Sequence, residues 1–392
     1  MKLLIFSLDS YSVFHTDTKF IFGGAEIETG YHAKGLAALG VEVSVITRDH
    51  AIPAHTFEKV TLLPHPGLKG TGYWKKRKTL AGKISYRILG DRNPHKTIDG
   101  LLHKINPDVV YIMGMSPEAL QLADYCKNEN KKFIFRVAHD LDLVGEVLNE
   151  EKIKKWAGIS FAKVKEVIAA AAVVLTQTPV QDELLKKWFN REGELMFPPI
   201  DTTLKSNAVT EKKYDLFWIG KNNVFKRPEK LVELAKRLPH RKFCMVFNKI
   251  EEASWKKIVE TLPPNVQLIE SIPADQIETL FCQSKLFVST SLHEGFANTF
   301  LQAAKNSVPV ISMGPDPNFM LSKHGAGVLV GDDMDKMVLA AEELLADEIK
   351  YKTLCGQSRQ YVEKFHAREK ISAQFHTVLL QLEKQNAQPI SS

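Results

Sequence analysis

Short apolar runs alternate with amphipathic stretches along almost the whole chain. Residues 2–8 (KLLIFSL) read as a first buried strand. A polar stretch follows and ends in Phe22-Gly23-Gly24-Ala25-Glu26. The next helix runs to about Leu39, and Gly40 ends it. Val41 to Thr47 alternate as a second strand. Residues 107–112, 132–137 and 169–176 read as further buried strands. A helix over Pro179 to Trp188 comes after the last of these, and Met196 to Asp201 closes the half. The polar stretch Thr202 to Lys213 has no period and marks a boundary.

The same plan then repeats. Strands are expected at 214–220, 242–248, 266–269, 286–289, 308–312 and 327–330. The helices between them are expected at 228–238, from Ser254, at 274–282, at 298–305 and to about Leu345. Asn298 or Thr299 is expected to cap the helix at 298–305 with a side-chain oxygen. Two long helical patterns, 347–364 and 368–384, finish the chain. The polar tail, 386–392, is expected to be disordered. Strands alternating with helices predict parallel sheets with helices on both faces. Two such halves predict an α/β protein of two Rossmann-like, doubly wound domains facing across a cleft, with ligands at the strand carboxyl ends.

Composition narrows the class. With 392 residues, 44% hydrophobic and 25% charged, the chain fits two soluble domains. Cys126, Cys244, Cys282 and Cys355 lie far apart, which argues against a zinc site or a disulfide framework and for a reducing compartment. The amino terminus lacks the pattern of a signal peptide. The longest apolar run, Val167 to Leu175, is too short to span a bilayer. Localisation is therefore read as cytoplasmic. The net charge of +6 is unevenly spread: ten Lys or Arg and a single acid, Asp91, lie between Lys59 and Lys96. The run Trp74-Lys75-Lys76-Arg77-Lys78 is a candidate contact for anionic lipid on the cytoplasmic membrane face. A solvated surface is the alternative, and no nucleic-acid motif accompanies the run.

The chemistry gathers at turns after strands. Between the strand at 286–289 and the helix at 298–305 lies Glu294-Gly295-Phe296-Ala297. A helix starting there directs free N–H groups and its positive dipole end at an anion. Glu294 beside it suits hydroxyl groups, so a sugar phosphate is the fitting ligand. An ordinary βαβ turn is the alternative. Lys221, Lys226 and Arg227 gather after strand 214–220 and could clamp a diphosphate. Gly23-Gly24 offers N–H groups at a helix start, but the spacing is not the three-glycine dinucleotide fingerprint. His139 lies at a strand's carboxyl end. Asp140-Leu141-Asp142 is a weak metal pattern, and no metal is assigned.

Taken in order, these segments resemble family-4 retaining glycosyltransferases of the GT-B fold (glycosyl transferases group 1). The resemblance covers nearly the full length. Glu294-Gly295-Phe296-Ala297-Asn298 with Leu301-Gln302-Ala303 and Val308-Pro309-Val310-Ile311 resembles the acidic signature. Gly220-Lys221 with Lys226-Arg227-Pro228 resembles the basic pair, and Gly23-Gly24-Ala25-Glu26 the amino-terminal glycine-rich loop. The resemblance implies domains at 1–201, completed by a terminal helix at about 366–385, and at 202–365. It implies that Glu294 bonds the sugar, and that Lys221 and Lys226 hold the diphosphate. His139 would lie near the sugar, while Gly23, Gly24, Gly220, Arg227, Gly295, Phe296, Ala297, Asn298, Thr299 and Gln302 meet the donor.

Gln302 stands where the family's second acid contacts the ribose, and Lys221 replaces an arginine, which loses the bidentate fork. The implied activity is metal-independent transfer, with retention, from a nucleoside diphosphate sugar such as a UDP or GDP sugar to a glycan or lipid-linked acceptor. The setting would be polysaccharide, lipopolysaccharide or glycoconjugate synthesis. The nucleotide sugar is a co-substrate, and no cofactor is assigned. A nucleotide-sugar epimerase and a non-catalytic nucleotide-sugar binding protein are the rival readings.

Overall fold

The computed structural model describes residues 1–15, 23–49, 54–69, 94–143, 150–204, 211–221, 225–248, 252–270, 272, 274–292 and 294–387. The chain divides into two units, Met1–Pro199 with Arg368–Ser392, and Ile200–Ala367.

In the first unit the described strands are β1 (Lys2–Phe6), β2 (Glu42–Asp49), β3 (His55–Phe57), β4 (Val60–Lys69), β5 (Val109–Met113), β6 (Lys132–Arg136), β7 (Val173–Thr176) and β8 (Glu194–Leu195). They form one sheet in the order β3-β4-β2-β1-β5-β6-β7-β8. All pairs are parallel except β3 with β4 at the edge. Both faces are covered. Leu4 and Phe6 point into one apolar cluster with Val110, Phe133 and Leu122. Leu3 and Ile5 point into the other, with Leu36, Phe375 and Leu379. That two-residue alternation with apolar residues on both faces is why β1 reads as a continuous hydrophobic run.

The helices of this unit are α1 (Tyr11–Phe14), α2 (Gly24–Ala38), α3 (Pro94–Ile105), α4 (Pro117–Asn128), α5 (Glu150–Ala157), α6 (Phe161–Ala170) and α7 (Pro179–Phe189). Ser116, Ser160 and Thr178 cap α4, α6 and α7 with side-chain oxygens, as small hydroxyl residues do at helix starts.

The second unit holds β9 (Tyr214–Lys221), β10 (Phe243–Asn248), β11 (Val266–Ile269), β12 (Ser284–Ser289), β13 (Val310–Ser312) and β14 (Gly327–Leu329). Its helices are α8 (Pro228–Arg237), α9 (Glu252–Val259), α10 (Ala274–Cys282), α11 (Asn298–Lys305), α12 (Met334–Ala346) and α13 (Glu348–His366). The sheet order is β11-β10-β9-β12-β13-β14, every pair parallel. The chain moves outward from β9 to β11, then returns to the other side of β9 with β12. The reversal lies between β9 and β12, and a crevice opens at that point in such sheets. The last helix, α14 (Arg368–Ala387), belongs to the first unit, where it buries Ile371, Phe375, Val378 and Leu379.

Three sequence expectations need correction. The run 169–176 is not all strand: Ala169 and Ala170 end α6, and the strand starts at Val173. Alanine favours the helix, and Val167 and Ile168 reach the core from it. The strand expected from Val308 begins at Val310, because Pro309 has no N–H for a ladder. The terminal helix runs on through Ala387, beyond the expected end at 384, and 388–392 lie outside the described residues. The edge strands β3 and β8, strand β4 beside β3, and helices α1, α3, α4, α5 and α6 were not expected from the sequence.

Candidate functional site

The switch point of the second unit carries the residues singled out in the sequence. The chain leaves β9, passes Phe225 and Lys226, and enters α8 at Pro228, with Arg227 at the cap. Next to it, the chain leaves β12 through Thr290 and Ser291 and reaches Glu294. The two turns are tied by backbone and side chain. Leu292 N–H donates to the Phe225 carbonyl at 2.8 Å. The Thr290 hydroxyl donates to the Lys226 carbonyl at 2.7 Å and accepts the Trp218 indole N–H at 2.9 Å. Trp218 is buried on β9. Its ring lies where a Gly220 side chain would go, 2.5 Å from an added Cβ. That explains the glycine at 220 by packing.

These ties place Lys226 and Glu294 together. The Lys226 ammonium donates to Glu294 Oε1, and the Ser291 hydroxyl donates to the same oxygen at 2.7 Å. Both side chains are part-buried, with 23% and 17% of their surface exposed. Each is thus oriented and remains reachable from solvent. Arg227 works as a brace. Its Nε donates to the Thr290 carbonyl at 2.7 Å, and one terminal nitrogen donates to Asp332 Oδ1 at 2.7 Å. Arg227 also holds a left-handed backbone, φ 47°, which the surrounding contacts must maintain.

The turn after Glu294 ends at Ala297, and α11 begins at Asn298. The expected side-chain cap from Asn298 or Thr299 is absent, because the cap position is Ala297 and no side chain bonds there. Asn298 and Thr299 are the first two helical residues, so their side chains lie beyond the position from which a cap reaches back. The Asn298 and Phe300 N–H groups donate instead to the Phe296 and Ala297 carbonyls at 3.0 and 2.8 Å, so the helix end offers an anion chiefly its positive dipole. Phe296 and Ala297 are buried beneath it. Gln302 is half-buried on the next turn of α11, where its carbonyl accepts Asn306 Nδ2 at 2.9 Å. A second close approach lies below. An added Cβ on Gly314 would sit 2.8 Å from the carbonyl oxygens of both Ser291 and Leu292. The chain after β13 thus supports the Glu294 turn from underneath.

In the first unit, Gly23 caps α2, and its N–H donates to Glu26 Oε2 at 2.8 Å. His139 follows β6. Its Nδ1 accepts the Leu141 N–H at 3.1 Å, and its ring lies 5.0 Å from the Trp156 ring. The neutral ring therefore carries its proton on Nε2. Asp142 turns inward, accepting N–H groups from Ala138 and His139 and the Trp156 indole. Asp140 accepts from Gln181 at 3.0 Å. The two carboxylates have separate partners, and among the described residues no group of acids, histidines or cysteines is arranged to hold a metal ion. The Lys221 side chain and the run Trp74 to Lys78 lie outside the described residues. Among the described residues, no helix is long and apolar enough to cross a membrane. Sequence reading gave no site role to Trp218, Thr290, Ser291, Asp332 and Gly314, which hold the site in place.

Comparison with known proteins agrees with this architecture. Residues 199–361 match the family model described as Glycosyl transferases group 1. The whole chain is similar in structure to sucrose-phosphate synthase from Thermosynechococcus elongatus, at 15% identity and a TM-score of 0.79, covering 98% of this chain and 100% of that one. It is similar to Anabaena Alr3699/HepE, solved in complex with UDP and glucose, at 14% identity and a TM-score of 0.70, covering 97% and 99%. It is also similar to WaaG, a glycosyltransferase involved in lipopolysaccharide biosynthesis, at 13% identity and a TM-score of 0.64, covering 94% and 98%. A search of curated protein sequences found no match to the chain. The chain has the GT-B fold, and its second unit is similar to the group 1 glycosyltransferase domain over residues 199–361.

Proposed function

We propose that the protein transfers a sugar, with retention, from a nucleoside diphosphate sugar to a glycan or lipid-linked acceptor. The observation that carries this reading is the Lys226–Glu294 pair held beside the amino end of α11. Breaking the bond from sugar to diphosphate builds negative charge on the leaving group. Lys226 and the positive dipole end of α11 would meet that charge where it develops. One such donor is typically worth about 100–1,000-fold in rate.

Glu294 would accept hydrogen bonds from sugar hydroxyls. Lys226 and Ser291 both bond Oε1, which orients the carboxylate, and its other oxygen would face the sugar. Lys226 also offsets the repulsion between Glu294 and a diphosphate. In this reading the acceptor attacks from the face the diphosphate leaves, and a departing phosphate oxygen takes its proton. Contact with anionic lipid through the Trp74 to Lys78 run would serve a lipid-linked acceptor.

UDP sugars are the first donors to test. A melting-temperature screen over nucleoside diphosphates and their sugars identifies the donor, and product NMR with that donor reads the anomer. A retained anomer is expected, and an inverted one contradicts the mechanism. The neutral Gln302 favours a second reading, a binding protein without turnover. It predicts a melting shift with no release of nucleoside diphosphate.

A further inference from the structure

The chain enters the second unit at Ile200 and leaves it at Ala367, and these two residues form a parallel bridge. Ile200 N–H donates to the His366 carbonyl at 2.8 Å. His366, at the end of α13, is fully buried. Its Nε2 lies 3.2 Å from the Tyr361 hydroxyl, and its ring lies 5.2 Å from that of Phe296. Phe296 belongs to the turn that carries Glu294. One residue thus touches the entering chain through its backbone and the site turn through its ring.

Arg359, two turns earlier on α13, makes the matching contact at the other end of α11. One terminal nitrogen donates to the Lys305 carbonyl at 2.6 Å, the other to the Thr202 carbonyl at 2.8 Å, and Nε donates to Glu363 at 2.6 Å. Lys305 is the last residue of α11, where the helix leaves carbonyls unpaired and a cation is favoured. Glu363 fixes the plane of the guanidinium. A planar fork can hold two carbonyls in this way, and an ammonium cannot hold them in the same geometry.

We propose that Arg359 and His366 are positioning residues that clamp the entering segment, Ile200–Thr202, to both ends of α11. Order in that segment and occupation of the amino end of α11 then rise and fall together. The linkage is reciprocal, as for any two coupled sites. The ligand half of the proposal rests on the donor reading given above.

Amide hydrogen exchange tests it, in wild type, Arg359→Lys, Arg359→Ala and His366→Phe, with UDP and then GDP as probes and calorimetry to confirm binding. In wild type, a bound nucleotide slows exchange at residues 200–204 by about tenfold, within the usual range of coupling. Arg359→Lys loses most of that slowing while still binding nucleotide. Without nucleotide, Arg359→Lys speeds exchange jointly at 200–204 and 296–305 and leaves 243–269 unchanged, so global loosening is excluded. Arg359→Ala and His366→Phe do the same where they fold. Nucleotide that binds without slowing 200–204, or exchange that rises in only one of the two segments, overturns the clamp. If neither nucleotide binds, the donor reading fails, and the ligand-free comparison still decides the clamp.

Discussion

Lys226 and Glu294 lie 68 positions apart, and both were visible in the sequence because each sits in a turn after a strand, at motif spacing. Their bond to one another was not visible. It depends on β9 and β12 being neighbours, which follows from the sheet order and not from local pattern. Trp218 and Thr290 were missed for the same reason: alone, they read as a core aromatic and a strand-end hydroxyl, and only contact across 72 positions joins them. Gln302 carries the prediction at this scale. If its side chain meets the ribose, a carboxylate there should accept the diol hydroxyls more strongly. Gln302→Glu is expected to tighten nucleoside diphosphate binding severalfold by calorimetry. Unchanged affinity would remove Gln302 from the donor site.

At the level of elements, the strands and helices that form the second unit were largely legible. Their apolar runs are long, and glycine or proline marks their limits, Gly220 near the end of β9 and Pro228 at the start of α8. The boundaries of α10 and α11 match the expected residues. The first unit was harder. Ala169 and Ala170 sit in an apolar run that periodicity could not divide between helix and strand. The cap of α11 was misread because the hydroxyl and amide lie just inside the helix. Gly314 shows a constraint that only packing reveals. A methyl group there must push the backbone at Ser291 and Leu292 by a few tenths of an ångström or more. Small displacements of a positioned group can cost up to about 100-fold in rate. Gly314→Ala is therefore expected to lower kcat/KM about ten- to a hundredfold, with an unchanged circular dichroism spectrum. Wild-type activity would show that the Glu294 turn does not need that support.

Across the whole molecule, the most deeply buried charge lies in the first unit. There, Glu28 and Arg136 form an ion pair without solvent exposure, and Arg136 also donates to the Met196 carbonyl at 3.0 Å. His32 lies 3.4 Å from Glu28 and packs edge-on to Phe375 of the terminal helix. Burial by itself would raise the Glu28 carboxyl, but the Arg136 guanidinium and His32 outweigh it and hold the group below its ordinary value. Burial pushes His32 down, so the ring is neutral in the fold. Both groups bind protons less readily folded than unfolded, so acid favours unfolding. The His32 share of stability is lost as pH falls below about 6.5, and the Glu28 share below about 4.5. The melting temperature is expected to fall between about pH 7 and about pH 5, and His32→Gln should flatten that portion. An unchanged slope in the variant would exclude His32 as its source.

The most direct test of the central claim is the Lys226→Ala variant, measured with whichever nucleotide sugar gives the largest melting shift. If Lys226 stabilises the departing diphosphate, turnover falls about 100-fold or more, while the far-ultraviolet spectrum is retained. Turnover at the wild-type rate would contradict a leaving-group role for Lys226 and the assignment of this site.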